Sequence, residues 1–352
     1  MNFRLFLSKY LGFISRFLPQ SPQKTLVGFD IGTSSIKAVE IGYKKDFFEI
    51  QNWAVESIEG ADAKGALKRL LTKMSIKDQE PVAAVSGKGT LIRYADMPRM
   101  PIEELRKAFL YEIDKYFPFD PKTIYTDCHI IDPQSKEKKV PVLVVAAKKD
   151  LVDERIKLFK EVEMDLTYVT TNSIATANAF ERLVKKTEGA TGARVVLDIG
   201  EAVSNLMILD KNNSPCFTRD IFVGSQDISK QIAQALGVSL PEAEKLKKEP
   251  GDKTNEVMQA SQATLNNLIG ETQLSLDYFK TEKNATVTEL FLVGGGSLFK
   301  GIEEIFEKSL HIPVKVWNPL ANLRLGSTVV VADINKYSSQ LGVAIGLALT
   351  KI

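Results

Sequence analysis

From Thr25 onward the apolar residues follow two periods, one of two residues and one of three to four, and each change of period marks an element. Thr25–Ile31 and Ile36–Ile41 predict a buried strand and its hairpin partner, and Phe47–Val55 a third strand. Ala63–Met74 has helical spacing, and Val82–Val85 reads as a short strand before Gly87 and Gly89. A compact unit follows: strand Leu91–Met97, helix Ile102–Tyr116, then strands Ile124–Ile131 and Val140–Ala147, punctuated by Pro98, Pro101, Pro118 and Pro121. Helices at Leu151–Val162 and Ser173–Lys186 lead to Thr187–Gly192, small and polar enough for a hinge. A second strand set opens with Ala193–Ile199, Val203–Leu209 and Pro215–Ile221. Helices are predicted near 226–236, 241–247 and 254–280, then strand Glu289–Val293, a helix from Leu298, strand Val314–Trp317 and a last helix, Asp333–Thr350.

The first 22 residues have a different rhythm. On a helical wheel Arg4, Ser8, Lys9, Gly12, Ser15 and Arg16 share one face, and Phe3, Phe6, Leu7, Tyr10, Phe13, Ile14, Phe17 and Leu18 the other. No acid precedes Asp30, and Pro19 and Pro22 end the pattern. A basic, aromatic-rich amphipathic helix suits an anionic membrane surface, with Phe3, Arg4, Phe6, Lys9, Phe13, Arg16 and Phe17 as contacts. Packing on the chain's own body or on a partner is the competing reading. A secretory signal is disfavoured, because Lys9 and Arg16 interrupt the apolar core.

Composition narrows the chemistry. A length of 352 residues calls for at least two domains, and a net charge of +2 gives no case for nucleic acid as a partner. Two cysteines, Cys128 and Cys216, make no disulfide framework, and two histidines, His129 and His311, make no metal-spaced cluster. No stretch reaches the roughly 18 to 20 uncharged apolar residues that span a bilayer.

The informative feature is a duplication. A hydrophobic strand ends in Asp30-Ile31-Gly32 and again in Asp198-Ile199-Gly200, each followed by a tight turn and a second strand. At the first turn Gly32, Thr33 and Ser34 present backbone N–H groups and hydroxyls to an anion, and Lys37 adds a point charge. At the second, Gly200 and Ser204 occupy comparable places, with Glu201 an awkward carboxylate facing any phosphate. Asp30 and Asp198 suit a hydrated Mg²⁺ held through water. The Gly294-Gly295-Gly296-Ser297 run at a strand-to-helix junction lets the backbone approach a flat ligand. Glu244 and Lys247, an i, i+3 pair, read either as a solvated pair or as contacts to ribose and base.

Two Asp-Gly hairpins, an A-E-x-x-K helix and a G-G-G-S junction, in that order, resemble the actin/hexokinase/DnaK-type ATPase superfamily. Within it the chain is similar to the PilM family of type IV pilus assembly proteins, relatives of the division protein FtsA. Met97-Pro98-Arg99-Met100-Pro101 with Glu103-Glu104-Leu105, Tyr116-Phe117-Pro118-Phe119, Phe217-Thr218-Arg219-Asp220, Asn318-Pro319 and Leu341–Ala348 add to the match, which runs from about Thr25 to Lys351. The resemblance implies a two-lobed α/β, actin-like (RNase H-like) fold with an inserted strand–helix–strand–strand subdomain, 1C. It divides the chain into 1–22 (helix and linker), 23–87 (1A), 88–166 (1C), 167–188 (return to 1A and hinge), 189–332 (second lobe, 2A/2B) and 333–352 (return to 1A).

It also implies ATP and Mg²⁺ as cofactors, with Asp30, Gly32, Thr33, Ser34 and Lys37 at phosphate site 1 and Asp198, Gly200 and Ser204 at phosphate site 2. Glu244, Lys247 and Gly294, Gly295, Gly296 and Ser297 would hold the nucleoside. The partners it implies are the cytoplasmic N-terminal peptide of a PilN-like membrane protein and, indirectly, the pilus motor ATPases. Self-association is left open, and the location implied is the cytoplasmic face of the inner membrane. Glu201, where the family has a small residue, and the absence of an acid at the start of Val169–Ser173 argue for slow turnover at most. A small-molecule kinase and an FtsA-like filament protein are the alternatives. A kinase needs an aspartate base facing a hydroxyl, whereas Met97–Phe119 is apolar and proline-bracketed, better suited to a peptide.

Overall fold

The computed structural model describes residues 25–44, 47–76, 79–185 and 192–350. Residues 1–22, with the amphipathic pattern, and most of the hinge stretch at 187–191 lie outside the described residues.

A six-stranded sheet is built from β1 (Leu26–Ile31), β2 (Ser35–Lys44), β3 (Phe47–Ser57), β4 (Glu80–Val85), β8 (Tyr168–Thr171) and β14 (Arg324–Leu325), in the order β14-β3-β2-β1-β4-β8. β1 is apolar on both faces because helices cover both. Val27 and Phe29 pack on α1 (Ala63–Met74) and on Phe159 of α3 (Lys149–Lys160), while Leu26 packs toward α4 (Asn172–Leu183) and α10 (Gly342–Ala348). The second sheet, β9 (Ala193–Ile199), β10 (Ser204–Leu209), β11 (Pro215–Ile221), β12 (Val287–Val293) and β13 (Val314–Val316), is ordered β11-β10-β9-β12-β13. In both sheets two antiparallel hairpins precede two parallel additions. The duplication seen at the turns thus extends to the whole topology. α4 and α10 lie between the sheets in one shared apolar core that includes Ile41, Phe180, Met207, Trp317 and Ile345. The outer face of the second sheet is covered by α5 (Ser225–Leu236), α6 (Leu240–Lys248), α7 (Thr254–Lys283) and α8 (Ile302–Leu310).

Between β4 and α3 the chain forms β5 (Thr90–Pro98), α2 (Ile102–Tyr111), β6 (Ile124–Ile130) and β7 (Lys139–Lys148), a separate antiparallel sheet ordered β5-β7-β6. Its own core takes up Met97, Leu105, Phe109, Ile113 and Phe117. Much of the apolar character of Met97–Phe119 is therefore spent internally, while Leu110 and Tyr111 of the same stretch stay exposed.

Three helices differ from the sequence expectation, and two short strands are unexpected. The helix predicted to Tyr116 ends at Tyr111, and a 3₁₀ turn at Ile113–Lys115 lets Phe117 turn into the core. The helix predicted from Leu298 is a 3₁₀ turn, Gly295–Leu298, with α8 starting only at Ile302. The last helix is broken into α9 (Val331–Asn335), a 3₁₀ turn at Ser338–Gln340, and α10. β8 and β14, of four and two residues, carry too few positions for a period to show.

Candidate functional site

The two Asp-Ile-Gly turns face one another across a cleft of about 310 Å³. The first is closed by Gly32 N–H donating to the Ser35 carbonyl at 3.0 Å, the second by Gly200 N–H donating to the Val203 carbonyl at 3.2 Å. From the first turn the lining takes Asp30, Gly32, Thr33, Ser34 and Lys37, and from the second Asp198, Gly200 and Glu201. Glu244, Gly294 and Gly295 also line it, Gly294 directly beside Asp198. Lys37 Nζ donates to Asp30 Oδ2 at 3.2 Å, so the cation and the carboxylate of the first hairpin already hold one another. Arg155, brought down to about 10 by burial, reaches the Ile31 carbonyl from behind at 3.5 Å.

The second turn is docked on a helix N-terminus. Ser225 N–H donates to the Gly200 carbonyl and Gln226 N–H to the Glu201 carbonyl, each at 2.9 Å, which occupies two of the free donors at the start of α5. Gln226 Nε2 also donates to Glu201 Oε1 at 3.4 Å, drawing this carboxylate toward α5.

Four predicted residues do not line the cleft. Ser204 donates to the Val223 carbonyl at 2.7 Å, Ser297 donates to the Gly294 carbonyl at 2.7 Å, and Gly296 packs against Ile199. Lys247 is 1% exposed, and its ammonium donates to the Ser225 carbonyl (3.2 Å), Ser229 Oγ (2.8 Å) and Glu244 Oε1 (2.7 Å). It is neither a solvated cation nor a free ligand group. Burial lowers its pKa against the pull of Glu244. On Glu244 burial acts upward, but the hydrogen bonds from Lys247 and Ser229 outweigh it and hold the carboxylate below its ordinary value. Lys247 thus anchors Glu244, whose side chain remains 43% exposed at the cleft wall.

Residues that the sequence did not flag complete the lining: Ser86, Asn172, Asn205, Lys248, Ser339 and Gln340. Ser339 and Gln340 lie within the stretch predicted as one long helix, and no spacing signal marks them.

A family model described as type IV pilus assembly protein PilM matches residues 28–352. The chain belongs to the PilM family. Among solved structures, a chain of a PilM–PilN type IV pilus biogenesis complex matches with a TM-score of 0.80 at 23% identity, covering 94% of this chain and 99% of that one. Ethanolamine utilization protein EutJ from Carboxydothermus hydrogenoformans matches at 0.54 and 14%, covering 98% of each chain. MreB5 of Spiroplasma citri, in a structure with AMPPNP bound, matches at 0.52 and 12%, covering 95% of this chain and 97% of that one. At these identities the structures establish the fold, which is actin-like and α/β as the PilM resemblance implied. Among the described residues no helix is long and apolar enough to cross a membrane.

The charges of the cleft make a pH prediction for this PilM-family chain. Burial, helped by the charge of Asp30, raises Asp198 from 3.8 to about 7, against Lys37 and a hydrogen bond from Thr176. The folded state therefore holds this proton over a range where the unfolded chain has lost it. Stability from this group is full below 3.8 and is lost as pH rises through about 7. In metal-free buffer Asp198→Asn should gain on wild type as pH rises, its melting advantage being larger at pH 8 than at pH 5. Equal melting differences at both pH values would show that Asp198 does not titrate in this window.

Proposed function

We propose that the chain is an ATP-binding scaffold of a type IV pilus assembly platform, or of a related pseudopilus, on the cytoplasmic face of the inner membrane. The observation that carries the nucleotide part is the meeting of the duplicated Asp-Ile-Gly turns across one cleft. Each supplies backbone donors, and each carries a buried aspartate. The donor set fits Mg²⁺ held through water by Asp30 and Asp198. Among the described residues no cluster of three or more His, Cys, Asp or Glu side chains forms a protein cage, and Mg²⁺ keeps its waters readily. A bound Mg²⁺ would neutralise charge on the phosphates.

The peptide part rests on a groove elsewhere. Taken as subdomain 1C, the inserted sheet turns its second face, with Tyr125, Asp127, His129, Leu143 and Val145, toward β8 and the start of α4. A cavity of about 290 Å³ there shares the wall residues Asp127, His129, Leu143 and Ile174 with a neighbouring one of about 370 Å³. β8 is an edge strand, so an extended peptide can add to it while its side chains enter the groove. The occupant we assign is the cytoplasmic N-terminal peptide of a PilN-like membrane protein. Val145→Glu and Ile174→Glu should each weaken capture of such a synthetic peptide at least about tenfold, a loss of roughly 1.4 kcal/mol. Unchanged capture by both variants would remove the groove from consideration.

The basic amphipathic pattern of residues 1–22 supports a second attachment, to anionic lipid, worth about 1 kcal/mol per cation near the surface. Deleting these residues should abolish sedimentation with anionic liposomes, and unchanged sedimentation would leave the peptide groove as the membrane link.

A further inference from the structure

The 3₁₀ turn Ser338–Gln340 enters the cleft from the last segment of the chain and is fixed to the glycine loop of the second lobe. The Ser339 carbonyl accepts the Gly294 N–H at 2.7 Å, and Gln340 N–H donates to the Tyr337 carbonyl at 2.8 Å. Ser339 is 3% exposed, lines the cleft, and its hydroxyl is buried without a hydrogen-bond partner in the protein. Buried hydroxyls are ordinarily satisfied, so one left bare in a cleft wall points to a ligand. Gln340 stands beside it. Its amide oxygen lies 3.8 Å from where a Cβ on Gly295 would stand, so the amide covers the face of Gly295. This is the face along which a flat base would approach the glycine loop.

We propose that Ser339 and Gln340 contact the nucleoside of the bound nucleotide, and that the Gln340 amide selects adenine. The proposal rests on the reading of the cleft as a nucleotide site and names its specificity element. A carboxamide offers one donor and one acceptor side by side. Adenine presents the matching acceptor and donor at N7 and its amino group, whereas guanine presents two acceptors on that edge. Ser339, with a hydroxyl that both donates and accepts, suits the sugar or either purine. Lys247 gives the position of Glu244 on the opposite wall, so the nucleoside would lie between α6 and the 338–340 turn.

The test is a titration of the full chain with ADP, GDP and pyrophosphate in the presence of Mg²⁺. Wild type should prefer ADP over GDP. Gln340→Ala should lose that preference and weaken ADP about tenfold, the low range for one bidentate base contact, with pyrophosphate unchanged. Gln340→Glu, which loses the donor to N7 but keeps an acceptor for the adenine amino group, should weaken ADP while ADP stays ahead of GDP. Ser339→Ala should weaken ADP and GDP alike, and leave the ligand-free melting temperature unchanged because its hydroxyl has no partner to lose. The proposal is overturned by a wild-type ADP/GDP ratio in Gln340→Ala, or by a Gln340→Ala protein that weakens pyrophosphate as much as ADP. Wild type that binds pyrophosphate without any base preference overturns it as well. Failure of wild type to bind all three ligands would instead sink the cleft reading itself.

Discussion

Gly295→Val is expected to abolish the rise in melting temperature that millimolar Mg·ATP gives the wild-type protein, while leaving the ligand-free melt close to its original value. A ligand that binds only the folded state at 100 times its Kd stabilises it by about 2.7 kcal/mol, a shift of several degrees. Gly295 tolerates a side chain, since nothing lies closer to a Cβ there than Gln340 Oε1 at 3.8 Å. The added bulk would point into the cleft and exclude the nucleoside. The neighbouring position behaves oppositely. Gly294 has φ of +84°, and its Cβ would collide with Asp198 Oδ1 and stand 2.6 Å from the Ile199 carbonyl. Gly294→Val should therefore lower the ligand-free melting temperature. Asp30→Ala should remove the ligand shift as Gly295→Val does, by taking away the partner of Lys37 and the Mg²⁺-facing carboxylate. A wild-type melt that does not move in Mg·ATP would dispose of the nucleotide reading, and a Gly295→Val protein that still shifts would move the nucleoside off the glycine loop.

The two turns that face one another across the cleft were legible because each is local. Gly32, Thr33 and Ser34 sit within one hairpin, and the same hairpin recurs at Gly200, so a short window of sequence carries both donors and geometry. The rest of the cleft wall was legible only in part. Glu244 and Gly294 carry recognisable patterns, yet the ammonium of Lys247 is turned inward, because Ser225 and Ser229 lie beneath it on a neighbouring helix. No spacing rule applied to 243–247 contains that helix. Ser339 and Gln340 were missed for the same reason, compounded by a helix drawn through Asp333–Thr350 where a 3₁₀ turn breaks it.

Strands followed a similar rule. β9, buried along its whole length, announces itself by a continuous apolar run, ARVVLDI, broken only by Arg194 and Asp198. The buried Arg194 is explained by tertiary partners: it bonds Asn213 and the Lys185 carbonyl and lies over the Phe180 ring. β8 escaped notice although the topological duplication requires it. Its counterpart, β13, occupies the same outer place in the other sheet and was read correctly. The inserted unit shows the limit of composition as a guide to surface. Met97, Phe109 and Phe117 are buried in the unit's own core, whereas Leu110 and Tyr111 of the same stretch stay exposed, and an alternating set on β6 and β7, mixed with Asp127 and His129, lines a groove.

Gly346→Ala should destabilise the protein by about 3 kcal/mol or more, at the upper end of overpacking penalties, although alanine is the better helix former. α10, sequence GVAIGLA, is buried at every position between the two sheets. A Cβ on Gly346 would overlap the backbone carbonyl of Ala175 in α4, so the two helices could not keep their distance. Gly28 on β1 shows the same constraint from the other side, its Cβ falling on the backbone of Ala344 and Ala348. Because α10 and β1 together support the first Asp-Ile-Gly turn, spreading them should also weaken the nucleotide binding proposed for the cleft. Gly270 supplies the control: it is an exposed position within α7, with nothing within 4 Å of its Cβ. Gly270→Ala removes only backbone freedom from the unfolded chain and should stabilise by up to about 1 kcal/mol. Denaturant melts of both variants measure the contrast directly. Equal effects at the two positions would mean that α10 does not pack against α4 as closely as its glycine spacing demands.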